Sequence, residues 1–469
     1  MKKINFKLNA IALGVGIAML PAMGWSATTV DATNEHTPVT NALPDAEPQI
    51  VAPYLAPFDV VVPSSSRVNA ADTGKRAHTH YVIRNPSGIQ PRSLSDLSQP
   101  APAANPAASA SFAEYPASLA CVYKMGPAYA GCVPTNNPAF NAVGGSGAIA
   151  IVIAFDNPTV LADLQNFSSF FGLPAPNFQK ITMNNSCSVP PFNSGWALES
   201  ALDTQWAHAM APGAKIILVE ACSNSFADLK AAELRAAAEL VPYGGGIVSN
   251  SWGGGEFPTE SADWDDAFHG ANWQHTSYIF SAGDSGLGAE FPSASPWVIS
   301  AGGTRINRDS VTQAFQSESC WAGSGGGTSV YETYGSNFAA GGTGPWTNYQ
   351  YPLFGQSNRR TPDISFDADP ASGAWVQYNG SWFIVGGTSL SAPALAGIIN
   401  NSNNRLGQAP AQGGFYSNTE NNLLYAQLLT NKEYRTNFYD VKTGSNGAAA
   451  TTGWDSCTGV GSPRGKLGK

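Results

Sequence analysis

Eight consecutive apolar residues, Ala148–Phe155 (AIAIVIAF), set the first limit on the fold. The run has the length of a strand and is far too short to cross a membrane. With no polar residue at alternate positions, neither face of that strand can meet water, which is the signature of a parallel sheet buried between helices. Further strands are predicted at 215–221, 247–252, 278–282 and 298–301. Between them lie helical patterns at 196–210, at 226–240 (FADLKAAELRAAAEL) and at 259–273. A last helix is predicted at 388–401, and the Gly- and aromatic-rich stretch 305–380 reads as hairpins and loops. Strand and helix in alternation predict an α/β domain, a parallel sheet with helices on both faces. Function in such sheets gathers at the carboxyl ends of the strands.

Composition narrows the partners. Of 469 residues, 43% are hydrophobic, enough for a sizeable core, while only 12% are charged, against about 25% in ordinary domains. The net charge of −9 offers no basic surplus for nucleic acid. The 12 Trp, 16 Tyr and 22 Phe exclude highly charged disorder. Residues 1–27 have the layout of a secretory signal peptide: Lys2, Lys3 and Lys7, then a short apolar run from Asn9 to Leu20, then small residues up to Ala27. We therefore expect a secreted chain, extracellular or periplasmic, monomeric, with no nucleic-acid partner and no membrane in its mature form. Residues 28–111 form an N-terminal pro-segment or leader, with short strands expected at 54–62 and 80–83. It ends in a Pro/Ala/Ser-rich linker, Ser95–Phe112, and residues 112–469 make up the main domain. Six cysteines in an oxidising compartment call for three disulfides, and no C-x-x-C pair suggests a metal. Fifteen pairings are possible. The expected set is Cys121–Cys132, Cys187–Cys222 and Cys320–Cys457, of which only the first rests on closeness in sequence.

Four residues carry candidate chemistry. Gly386–Pro393 (GGTSLSAP) opens the last helix. Ser389 there meets free N–H groups and the positive end of the helix dipole, which suits a nucleophile beside an oxyanion. The bland alternative is an N-cap. The same tripeptide at Gly327-Thr328-Ser329 precedes a strand-like run and reads as structural. A serine nucleophile needs a base. None of the six histidines lies in an H-G-T-H setting, and His208 and His269 fall on helical patterns. Glu199 and Asp203 stand four apart on one helix, so they share a face and could share a proton, although a solvated face is the ordinary reading. Asp284, in Ser-Ala-Gly-Asp-Ser-Gly after a buried strand, would sit at a carboxyl end. If protonated it could donate to an oxyanion; the alternative is a plain Asp-Ser-Gly turn.

In this order and spacing, Glu199-x-x-x-Asp203, Ser281-x-Gly-Asp284-Ser-Gly and Gly387-Thr-Ser389-x-Ser-Ala-Pro resemble the sedolisins, serine-carboxyl peptidases with a subtilisin-like fold. Residues 202–214, Ser251-Trp-Gly-Gly254 and Pro362-Asp-Ile-Ser365 extend the resemblance over about three-quarters of the chain. It implies that Ser389 is the nucleophile, Glu199 its general base, Asp203 the holder of Glu199, and Asp284 the oxyanion donor. It implies that Ser251, Trp252 and Gly253 form a backbone strip that pairs with an extended peptide. It also implies one structural Ca²⁺ held by Asp440, Val441, Thr451, Gly453 and Asp455, where the family more often has Gly in place of Thr451. A carboxylate base and a protonated Asp both imply work in acid. The expected function is a secreted, acid-acting serine-carboxyl endopeptidase on protein or peptide substrates. The alternatives are an inactive secreted binding protein on the same scaffold and a two-carboxylate glycosidase. The glycosidase would leave Ser389 and Asp284 idle. The N-terminal segment is short for a sedolisin prodomain, and self-cleavage is expected near the 95–112 linker. Few charges also fit a fold that must survive acid.

Overall fold

The computed structural model describes residues 58–86, 113–269, 276–333, 350–355, 358–402 and 416–468. The expected signal peptide and the linker before residue 112 lie outside the described residues. Three short strands come first: β1 (Phe58–Val61), β2 (His78–Thr79) and β3 (Val82–Pro86). The main sheet then gathers β4 (Ala148–Ala154), β5 (Asn177–Thr182), β6 (Lys215–Ala221), β7 (Gly246–Asn250), β9 (Thr276–Ser281), β11 (Ile299–Arg308), β12 (Phe315–Cys320) and β15 (Ile364–Asp367). Its order is β12-β11-β9-β7-β4-β6-β5, with β15 also on β11. All pairs are parallel except β11 with β12.

The predicted apolar run is the centre of this sheet. Every residue of β4 is buried, and Ile149 lies level with Ile216 on one neighbour and Ile247 on the other. Full burial requires cover on both faces. The helices α3 (Ser194–Met210) and α7 (Thr388–Asn401) pack together across one face, and α4 (Phe226–Leu240) lies across β4, β6 and β7 on the other. Asn193 starts α3 by accepting the N–H groups of Gly195 and Trp196. Gly397 lets the two helices close up, since a Cβ there would stand 2.6 Å from that of Met210. The remaining helices are α1 (Pro116–Val122), α2 (Val160–Phe171), α5 (Glu260–His269), the single turn α6 (Tyr351–Phe354), α8 (Tyr416–Leu429) and α9 (Asn431–Asn437). None of the described helices is long and apolar enough to cross a membrane.

Two features depart from the sequence reading. The single strand expected at 247–252 breaks at Ser251 into β7 and β8 (Trp252–Gly255), which belong to different sheets. The N-terminal residues 58–86 are woven into the main domain: β1 and β3 extend the hairpin of β16 (Ala374–Tyr378) and β17 (Ser381–Gly386) in the order β1-β3-β17-β16. In a second small sheet β8 lies between β2 and β10 (Glu290–Phe291). The expected hairpin region also holds β13 (Gly327–Thr333) against β14 (Asn358–Thr361), and β18 (Phe438–Tyr439) pairs with β19 (Ser462–Pro463). The three disulfides join Cys121–Cys132, Cys187–Cys222 and Cys320–Cys457.

Candidate active site

Helix α7 begins at Gly387, whose φ of 109° is a left-handed value that favours glycine. No side chain of its own first turn caps it. The cap comes from the loop after β9: Asp284 Oδ1 accepts the Thr388 N–H at 2.8 Å and the Thr388 hydroxyl at 2.9 Å. Ser389 is thereby freed from capping. Its Oγ donates to Glu199 Oε2 at 2.9 Å, and its N–H points to the carbonyl oxygen of His80 at 2.9 Å. Pro393 has no N–H to offer the Ser389 carbonyl four residues back. Ser251 Oγ lies 3.2 Å from that carbonyl and 2.6 Å from Asp203 Oδ1. The break between β7 and β8 thus falls where Ser251 ties α3 to α7.

Glu199 and Asp203 are fully buried one turn apart on α3. They are hydrogen-bonded to each other, and the oxygens left over, Glu199 Oε1 and Asp203 Oδ2, have no other donor. Two carboxylates cannot bond without a proton between them. Burial pushes both well above the usual carboxylate range, and the charge of Asp203 pushes Glu199 further. Asp284 is pushed up to about 7 by burial, with the His80 charge and the Thr388 hydrogen bonds pulling the other way. Its Oδ2 has no hydrogen-bond partner. That oxygen and the His80 carbonyl oxygen lie 2.5 and 2.2 Å from the point where a Cβ on Gly387 would sit, so only glycine leaves them room to face each other.

The strip at Trp252 and Gly253 is already paired. Thr79 lies opposite Trp252 and His78 opposite Gly253, antiparallel, and the chain then carries His80 and its peptide link to Tyr81 past Ser389. The His80 N–H reaches Ser389 Oγ at 3.2 Å. Its imidazole turns away from the serine: Nδ1 meets Ser281 Oγ at 2.6 Å and Nε2 meets Glu290 Oε2 at 2.9 Å. Burial lowers the His80 pKa, but Glu290 and Asp284 outweigh it, and the net shift is upward. Burial and the neighbouring His80 push His78 down to about 4. His80 and Glu290 are the site residues that sequence reasoning missed. The strand expected at 80–83 is the sequence signal for His80. His208 is remote in role, its Nε2 on the Pro174 carbonyl at 3.0 Å, and Ser329 bonds Glu256 and the Glu332 N–H.

Of the expected cation ligands, Asp440 and Gly453 meet directly in the C-terminal loop. Asp440 Oδ1 accepts the Gly453 N–H at 2.8 Å and the Tyr434 hydroxyl at 3.0 Å. That one hydroxyl also lies 3.4 Å from the Gly453 carbonyl oxygen and 2.9 Å from that of Val460. One proton cannot serve three acceptors, so oxygen lone pairs are in excess. Asp455 anchors the same loop through the N–H groups of Thr451, Cys457 and Thr458. The donor set is all oxygen and fits a hard divalent cation.

The fold and the site together define a parallel α/β domain with a serine at a helix start, a buried carboxyl pair beside it and a third carboxyl across from it. Residues 193–452 match the subtilase family. Kumamolisin of Bacillus sp. (strain MN-32) is 31% identical over 349 residues, 68% of this chain and 59% of that one. Sedolisin of Pseudomonas sp. (strain 101) is 29% identical over 340 residues, 64% of this chain and 54% of that one. The chain therefore spans little more than half the length of these relatives. Among solved structures, Pseudomonas sedolisin, a serine-carboxyl proteinase complexed with pseudo-iodotyrostatin, superimposes with a TM-score of 0.58 at 24% identity, over 75% of this chain and 96% of that one. The chain belongs to the subtilase family, in its sedolisin branch.

Proposed function

We propose that the chain is a secreted, acid-acting serine-carboxyl endopeptidase whose cleft is filled by its own N-terminal segment. The observation that carries this reading is the meeting of three groups at Ser389: its Oγ on Glu199 at 2.9 Å, its N–H on a peptide carbonyl at 2.9 Å, and the free Asp284 oxygen beside that carbonyl.

Ser389 Oγ attacks the carbonyl carbon and its proton passes to Glu199 Oε2. Asp203, sharing a proton with Glu199 and held by Ser251, keeps that carboxyl in place. The oxyanion that forms takes the Ser389 N–H and the Asp284 proton. Glu199 then gives its proton to the leaving nitrogen as the C–N bond breaks, and water repeats the sequence on the acyl ester. Asp284 must carry its proton, which it does below about 7. The base must lie in a pair that keeps one proton, which acid also favours. Substrate peptides pair with Ser251, Trp252 and Gly253 in place of residues 78–80. Asp440, Asp455 and the carbonyls of Val441, Thr451 and Gly453 would hold one Ca²⁺, a structural tie for the loop.

The test is to incubate the full chain in acid and compare wild type with Ser389→Ala on denatured protein across pH. We expect hydrolysis peaking in acid, absent in Ser389→Ala. A neutral or alkaline optimum overturns the carboxyl mechanism. Inactivity of the acid-incubated wild type overturns the enzyme and favours a binding protein on the same scaffold.

A further inference from the structure

The pocket that takes the His80 ring is built for more than volume. The side chain is 1% exposed. A Cβ on Gly253 would stand 2.8 Å from the ring's Cε1, so glycine at that place opens the pocket wall. Glu290, on β10, packs its carboxylate over Gly283, where a Cβ would come within 2.7 Å of Oε1. Nδ1 is hydrogen-bonded to a hydroxyl, and Nε2 stands 2.9 Å from a carboxylate oxygen, at ion-pair distance. A carboxylate only accepts, so the Nε2 that faces it carries a proton, and Ser281 Oγ can take a second proton from Nδ1, which gives the doubly protonated ring a partner on each side. A charge-assisted bond this deep is worth more than a neutral one. The upward shift of His80 and the downward shift of Glu290, each caused by the other against its own burial, agree with that pairing.

Resting on the peptidase reading, we propose that this is the pocket for the residue just before the cut bond, that Glu290 makes it select a protonated histidine, and that His80–Tyr81 is the bond the chain presents to itself. Substrates are then peptides and proteins cut after histidine. The point of self-cleavage is the 80–81 bond rather than the 95–112 linker.

The experiment uses the acid-incubated full chain and three peptides alike except at that residue: histidine, its neutral ring isostere thienylalanine, and glutamine. At pH 5 we expect kcat/KM for the histidine peptide to exceed the other two by at least ~10-fold, the scale of one buried charge-assisted bond. In Glu290→Gln the histidine-to-thienylalanine ratio should fall toward one, with Glu290→Asp between. A wild-type ratio near one overturns the proposal without using any variant, as does a ratio that survives in a folded Glu290→Gln. Cleavage of none of the three peptides overturns the peptidase reading itself, and the pocket's assignment with it. Sequencing the new N-terminus is the second readout. Tyr81 supports the proposal, and a start within 95–112 with none at 81 opposes it.

Discussion

Asp284 uses its two oxygens for different purposes. Oδ1 caps α7 and so positions Ser389, while Oδ2 is free to face the carbonyl. Asp284→Ala should therefore lose ~10²–10³ in kcat, the cost of one oxyanion donor, measured at the acid optimum. Asp284→Asn keeps a donor that needs no proton. Wild-type activity should fall as Asp284 ionises near about 7, and the asparagine variant should carry that limb to higher pH. Glu199→Gln, which removes the proton acceptor, should cost ~10³ or more while thermal unfolding stays cooperative. A fully active Glu199→Gln variant would remove Glu199 from the mechanism. At this scale the carboxyls and Ser389 were legible, because each lies in a short motif whose spacing is fixed by a helix turn or a helix start. Glu290 was not: Ala-Glu-Phe-Pro has no spacing to Ser281 or His80 that sequence alone converts into contact.

Among elements, β4 could be read because nothing polar interrupts it. β5 could not, since its residues are only partly buried at the sheet edge and its Gln179 and Lys180 mask the strand. The break at Ser251 was hidden because Ser-Asn-Ser-Trp continues β-like, and the kink is imposed from outside by Asp203 and Ser389. A fully buried ion pair ties β14 to the residue just before β15, with Arg359 on both oxygens of Asp363 at 2.6 and 2.5 Å. Asp363 also takes the Ser300 N–H and the Tyr425 hydroxyl. Arg359→Met leaves that carboxylate buried and uncompensated, and denaturant unfolding should show a loss of about 3–5 kcal/mol. For the C-terminal loop, chelation of Ca²⁺ should lower the melting temperature by several degrees with recovery on re-addition. An unchanged melting curve in chelator would speak against a bound cation.

Taken whole, the molecule hides many of its few acids. Burial pushes Glu220 up to about 8, Asp265 up to about 7 and Glu260 up to about 10. Glu233, Glu332 and Asp367 are also pushed well up by burial. Each binds a proton more tightly folded than unfolded. Their contribution is complete below an ordinary carboxyl pKa of about 4 and drains away as pH rises through the folded values. Asp228 and Asp309, pulled down by hydrogen bonds, Glu290, pulled down by the His80 charge, and His78 and His208, pushed down by burial, act in the opposite sense but are fewer than the carboxyls pushed up. Melting temperatures should therefore be highest near pH 4 and lower at pH 8 by on the order of 5–10 °C. A curve that rises toward neutrality would contradict this account. The low charge content pointed the same way, but composition could not tell buried acids from absent ones.

The strand β3 lies between β1 and β17, with Val60 level with Arg84 on one side and Ile384 on the other. A cut at His80–Tyr81 separates β1 and β2 from β3 in sequence but leaves every one of those ladders standing. The immediate product is a nicked complex, two chains that still share a sheet, with the severed end lying in the cleft as a product. Such a molecule runs on two clocks, one for breaking the bond and one for the fragment to peel away. The second clock, unlike the first, can run backwards when fragment accumulates.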